Sequence, residues 1–135
     1  GLLEACDMLM EEGLENVFAR HERHAEATRR AVRTWGFEIQ CSEPKEYSPV
    51  LTGVIMPSGH DADALRSVIL EKYNMSLGAG LGKIKGKVFR IGHLGDFNDL
   101  MLMGTLSGVE MGLASAGVPH NKGGAQAALD FLAGN

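Results

Sequence analysis

Apolar residues recur every third or fourth position through the first quarter of the chain and every second position in several short stretches beyond it, a pattern that predicts helices followed by strands. Leu2, Leu3, Cys6, Leu9 and Met10 form the first helical stripe, which Glu12 and Gly13 end or bend. A second, longer helix is predicted over 14–35. Leu14, Val17, Phe18, His21, Ala25, Thr28, Val32 and Trp35 mark its apolar face, and Arg20, Glu22, Arg23, Glu26, Arg29, Arg30 and Arg33 a solvated basic side. Gly36 ends it. Alternation over 37–41 and the aliphatic run 51–56, stopped by Pro57, predict two strands separated by a proline-containing loop at 42–49. Ser58 or Asp61 caps a helix through Ala62, Leu65, Val68, Ile69 and Tyr73. A brief strand at 75–77, a glycine-rich loop at 78–86 and a strand containing Arg90 follow. Asp96 is the expected cap of a helix running to about Ala116, and a terminal helix spans 123–132.

This order predicts an α+β two-layer domain, a small mixed or mainly antiparallel sheet covered on one face by helices. Gly104, Gly108 and Gly112, four apart on the penultimate helix, each cost up to ~1 kcal/mol relative to Ala, so their repetition predicts close approach to another backbone, expected to be the sheet.

With 135 residues, 44% hydrophobic and 22% charged, the chain has the size and composition of one globular domain. Its net charge of −4 argues against general nucleic-acid binding, which needs a basic surface. Cys6 and Cys41 lie far apart and neither belongs to a metal-ligand pair, which fits a reducing compartment. No apolar run approaches the ~20 residues of a membrane span. The opening GLLEACDMLM, without an initiator Met or a capping approach, reads as the interior of a longer chain whose apolar stripe needs a surface from elsewhere.

Candidate chemistry centres on KVFRIGHLGD at 87–96, where a strand gives way to a helix. Val88, Arg90 and Gly92 fall on one side of the two-residue repeat, and Lys87, Phe89, Ile91 and His93 on the other. Arg90 interrupts an apolar or small face, so its guanidinium must pair with a local carboxylate, bind an anion or reach water. Its planar fork suits bidentate recognition of a carboxylate. The loop GAGLGKIKGK misses the phosphate-loop spacing, because five residues separate Gly80 from Gly86 and Lys87 precedes Val88; Lys83 also occupies a glycine position of the dinucleotide fingerprint. A hinge or lid, or an ordinary connection, remains for it. His21, Glu22 and His24 lack the spacing of a zinc helix. His93 and His120 sit beside glycines in loop-like positions, and no residue order nominates a nucleophile.

The segments GLENVFARHERHAEATRRAV, GLG, GKVFRIGHLGDFNDLMLMGTLSGVEMGL and AGVPHNKGG resemble the C-terminal part of class V pyridoxal-phosphate aminotransferases, in particular the serine–glyoxylate and alanine–glyoxylate group. The resemblance implies a fold-type I small domain over 1–135, with 1–13 the end of an interdomain helix and the large cofactor domain absent. It implies that Arg90 grips the substrate carboxylate in a ping-pong amino transfer from serine or alanine to glyoxylate, with His93 and Asp96 as candidates for supporting the loop. The Schiff-base lysine and the carboxylate that pairs with the cofactor ring belong to the large domain, so Lys83, Lys85 and Lys87 take no such role. Pyridoxal phosphate is expected in the intact enzyme, usually a homodimer, and neither bound cofactor nor turnover is expected of this chain alone. A cytoplasmic location is expected, with an organelle such as the peroxisome the alternative. Two other readings stand beside this one. A stand-alone interaction domain would use the 2–10 stripe and the glycine-faced helix as partner surfaces. A sulfur-transfer enzyme of the same superfamily would need a reactive loop cysteine, and Cys41 lies on a predicted strand.

Overall fold

A computed structural model describes residues 1–134. The elements are α1 (Leu2–Glu12), α2 (Leu14–Trp35), β1 (Glu38–Ile39), β2 (Leu51–Ile55), α3 (Ala62–Tyr73), β3 (Gly78–Ala79), β4 (Val88–Gly92), α4 (Asp99–Ser115) and α5 (Gly124–Leu132). The strands form one antiparallel sheet in the order β1-β2-β4-β3. Register explains why one face is covered. Thr52, Val54, Phe89 and Ile91 pair across β2 and β4 and are buried with Val32, Trp35, Leu65, Ile69, Leu102, Leu106 and Leu113 from the helices. Each large aliphatic or aromatic side chain enclosed there contributes about 1.5–3 kcal/mol. Leu51, Gly53, Ile55 and Arg90 occupy the opposite face and are only half-buried.

Helix ends follow local chemistry. Gly36, at φ 86°, turns the chain out of α2, and the Phe37 amide donates to the Val32 carbonyl. Asp61 caps α3 by accepting from the Asp63 amide. The Glu110 carboxylate accepts from the Gly123 and Ala125 amides at 2.7 and 2.8 Å, tying α4 to the start of α5. Burial works to raise the pKa of Glu110, but those amides outweigh it and hold the value below the ordinary one.

Several expectations are corrected. The first strand is only Glu38–Ile39, and the third is Gly78–Ala79 rather than 75–77. Leu77 is instead drawn into the core and its carbonyl accepts from Arg66 Nε, so pairing begins one residue later. Asn98, not Asp96, caps α4, its side chain accepting from the Met101 amide. The glycine repeat of α4 does not face the sheet. A Cβ at Gly108 would meet the Met75 side chain, one at Gly112 would meet Ile69 of α3, and Gly104 faces open space. Helix α1 buries none of its residues.

Candidate functional site

Arg90 stands at the middle of β4, opposite Gly53 on one side and Gly78 on the other. Gln40, whose amide donates to the Gly53 carbonyl, extends this row across the face turned away from the helices. Glycine at 78 suits the close approach: a Cβ there would lie 3.0 Å from Arg90 Cβ and 3.2 Å from Nε. The bare backbone lets the side chain lie across Gly78 and donate Nε to the Ala79 carbonyl at 2.8 Å. That bond fixes the stem and leaves the two Nη groups as an end-on fork.

The other arginines are already paired with carboxylates. Arg20 meets Glu12, Arg23 meets Asp99, Arg66 meets Asp63, and Arg29, Arg30 and Arg33 share Glu26. Among the described residues no ion pair includes Arg90, so the local carboxylate that the alternation left open does not claim it. A cation on a rigid strand, half-buried and without a protein counter-ion, is suited to an external anion.

The segment after β4 is anchored from both sides. His93 is fully buried rather than loop-exposed; its Nδ1 lies 3.1 Å from the Pro49 carbonyl and its Nε2 2.9 Å from the Thr52 hydroxyl. The carbonyl can only accept, so Nδ1 carries the proton and Thr52 donates to Nε2. Burial pushes its pKa down to about 4 and the nearby Arg29 charge adds to this, so His93 is neutral and holds the exit of β4 to the start of β2.

Helix α2 provides the second anchor, and here the expectation of a solvated basic side is corrected. Arg20 donates Nη1 to the Gly95 and Phe97 carbonyls at 2.8 and 3.0 Å while its Nε and Nη2 grip Glu12. His21 Nδ1 lies 2.7 Å from the Val17 carbonyl, and its Nε2 accepts from the Gly95 amide at 3.2 Å. Arg23 donates to both Asp99 oxygens at 2.6 and 2.9 Å and to the Leu132 carbonyl, and His24 reaches Asp99 at 2.9 Å. The Arg23 bonds, seconded by His24, bring the Asp99 pKa down to about 2 although burial opposes them. The histidine-rich stretch 21–24 is therefore a clamp on the β4–α4 connection. It also explains the shifted helix start, because residues 95 and 97 are bound to α2 and α4 begins only after them. Sequence reasoning missed Arg20, Arg23 and Asp99; basic residues three apart on one helix, with an acid next to a candidate cap, were the available signal.

The remaining candidates do not join this site. Asp96 is exposed and makes no hydrogen bond among the described residues, so only His93 of the two loop candidates has an anchoring contact. His120 Nδ1 lies 2.8 Å from the Val118 carbonyl. Cys41 lies just past β1 and donates Sγ to the Glu43 carbonyl at 3.4 Å. Lys83, Lys85 and Lys87 are exposed on the turn from β3 to β4. No group of three or more His, Cys, Asp or Glu could hold a metal among the described residues. Among the described residues no helix is long and apolar enough to cross a membrane.

No family model matches the chain. It is 46% identical to the serine–glyoxylate aminotransferase of Methylorubrum extorquens, over all of this chain and 34% of that protein. It is 44% identical to the L-aspartate–glyoxylate aminotransferase of Paracoccus denitrificans, over 95% of this chain and 32% of that protein. The chain thus spans about a third of the length of these curated relatives. Among solved structures, the ureidoglycine–glyoxylate aminotransferase of Bacillus subtilis superposes with a TM-score of 0.87 at 29% identity, over 94% of this chain and 33% of that one.

Proposed function

We propose that this chain, which belongs to the class V pyridoxal-phosphate aminotransferases as their C-terminal domain, serves as the carboxylate clamp of a transaminase that moves an amino group from serine or alanine to glyoxylate. The observation that carries the reading is the free Nη fork of Arg90, set on a strand between two glycines and turned by the Ala79 carbonyl. Donor and acceptor are both small carboxylic acids, so one fixed cation can serve both halves of the exchange. Arg90 holds each substrate by its carboxylate and so limits where the reacting carbon can sit, a positioning contribution rather than a chemical one. Glyoxylate is favoured as acceptor because it stands in the names of relatives whose amino donors differ.

Pyridoxal phosphate supplies the electron sink for such a transfer when bound. On this reading Lys83, Lys85 and Lys87, which are exposed and outside the row that Arg90 shares with Gly53 and Gly78, take no part in holding it. The reading therefore assigns the cofactor, its lysine and the chemistry to a domain outside this chain, and inactivity to this chain alone. Residues 1–13 are read as the end of an interdomain helix, which suits an α1 whose Leu2, Leu3 and Met10 are all exposed. A homodimer and a cytoplasmic or peroxisomal setting belong to the same proposal. The exposed stripe would equally serve a stand-alone interaction module, and Arg90 separates the two readings.

In the full-length protein, Arg90→Ala should raise KM for amino donor and glyoxylate together, by roughly 10- to 100-fold for the loss of a charge-assisted pair of hydrogen bonds, with cofactor absorbance retained. Unchanged KM for both substrates would refute the clamp. The 135-residue chain alone should show neither a Schiff-base absorbance band nor transamination.

A further inference from the structure

Helix α1 stands off from the rest of the domain. It buries none of its residues, and its Ala5, Met8 and Leu9 line one wall of an open groove of about 890 Å³ whose other wall includes Phe18, Val50 and Leu94. Packing alone therefore does not fix its direction. A single residue, Gly13, separates α1 from α2; its φ of 89° and ψ of 129° favour glycine and break what would otherwise be one continuous helix.

One side chain spans that break. Arg20 Nε and Nη2 donate to the two Glu12 oxygens at 2.7 and 2.8 Å, and Nη1 donates to the Gly95 and Phe97 carbonyls at 2.8 and 3.0 Å. Asn16 also donates to the Glu12 carbonyl, at 2.9 Å, but stays within the same turn. Among the described residues no other side-chain hydrogen bond links α1 to the domain. The guanidinium is planar and is held along two of its edges, so it braces the end of α1 against the β4–α4 connection. That connection is fixed in turn. His21 accepts from the Gly95 amide, and His93 ties the exit of β4 to Pro49 and Thr52. The orientation of α1 is thus transmitted to the strand that carries Arg90.

We propose that Arg20 is a positioning residue: by bracing Glu12 against Gly95 and Phe97 it sets the angle of α1 relative to β4, and so where the groups beyond α1 meet an acid held by Arg90. This rests on the reading of Arg90 as the clamp and of residues 1–13 as the end of an interdomain helix.

The test uses the full-length protein. Glu12→Gln keeps the shape of the side chain and leaves Arg20 on its two carbonyls, but removes the charge and one acceptor oxygen. It should lower kcat about fivefold or more, with KM for both substrates within about twofold of the parent, because the clamp is intact and only the approach is misaligned. Arg20→Lys should lower kcat similarly, since an ammonium cannot span both edges. Combining the two substitutions should lower kcat no further, because Glu12 acts only through Arg20. Hydrogen exchange read by mass spectrometry needs no substrate: in Glu12→Gln it should be several-fold faster over 2–12 and unchanged over 88–92. Unchanged kcat, additive losses in the double variant, KM rising in step with the fall in kcat, or unchanged exchange over 2–12 would each overturn the proposal. If Arg90→Ala leaves KM unmoved while Glu12→Gln still lowers kcat and speeds exchange, the clamp falls and the bracing role of Arg20 stands.

Discussion

Arg23 on α2 and Arg90 on β4 are both partly exposed guanidiniums, yet the fold treats them oppositely. Arg23 grips both oxygens of Asp99 and the Leu132 carbonyl, so its donors are spent joining α2 to the start of α4 and the end of α5. Arg90 has one donor spent, on a carbonyl of the neighbouring strand, and pairs with no acid among the described residues. The first arginine holds the fold and the second is held by it. Availability to a ligand thus depends on which carboxylates the rest of the fold has already consumed.

The largest effects should fall on the two arginines themselves. Arg90→Ala should impair substrate binding with little change in thermal stability, whereas Arg23→Ala should lower the melting temperature and leave KM for both substrates near the parent value. Kinetics and thermal melts of the two variants check this, and an exchange of phenotypes would break the comparison.

His93 gives the next largest expectation. Its pKa is about 4 in the fold against an ordinary 6.5, so the unfolded chain takes up a proton that the folded one refuses. Stability is therefore full above pH ~6.5 and declines as pH falls toward ~4, by about 3 kcal/mol in all. Denaturant melts across that range should show the slope, and His93→Gln should flatten it.

The glycines beside Arg90 sharpen the contrast at smaller scale. Gly78→Ala pushes against the Arg90 stem and should raise KM several-fold, an effect of about 1 kcal/mol. Gly53→Ala meets Gln40, whose Cβ would lie 3.0 Å away, rather than Arg90, and should leave KM unchanged. In an Arg90→Ala background, Gly78→Ala should add nothing, since a positioning residue has no effect without the group it positions. The smallest effect concerns Asp99, whose pKa of about 2 lies below the ordinary 3.8. Its stabilisation is present above pH ~4 and is lost as pH falls toward ~2; at this exposure it amounts to under about 1 kcal/mol. Asp99→Asn should remove that acid-side loss in melts between those values.

Much of this arrangement could be read from the chain. Alternation located β2 and β4 and the face of Arg90, helical spacing located α2, α3 and α4, and the layer order followed. A Gly-Ala strand has no propensity or alternation to announce it, so β3 emerges only from its pairing with β4. Asp96 and Asn98 are both sound caps, and the choice between them was made by contacts from α2, 75 or more residues away. The basic side of α2 appeared solvated because its acceptors, Gly95, Phe97, Asp99 and Leu132, come from distant segments. The freedom of Arg90 was equally illegible, since it depends on the partners of six other arginines.

The claim that Arg90 receives the substrate acid is tested most directly by a crystal structure of the full-length protein with an unreactive substrate analogue bound. The account predicts both Nη groups of Arg90 on the two carboxylate oxygens at about 2.7–2.9 Å, with Nε still on the Ala79 carbonyl. A carboxylate bound by other residues, with Arg90 paired to an acidic side chain from the rest of the protein, would contradict it.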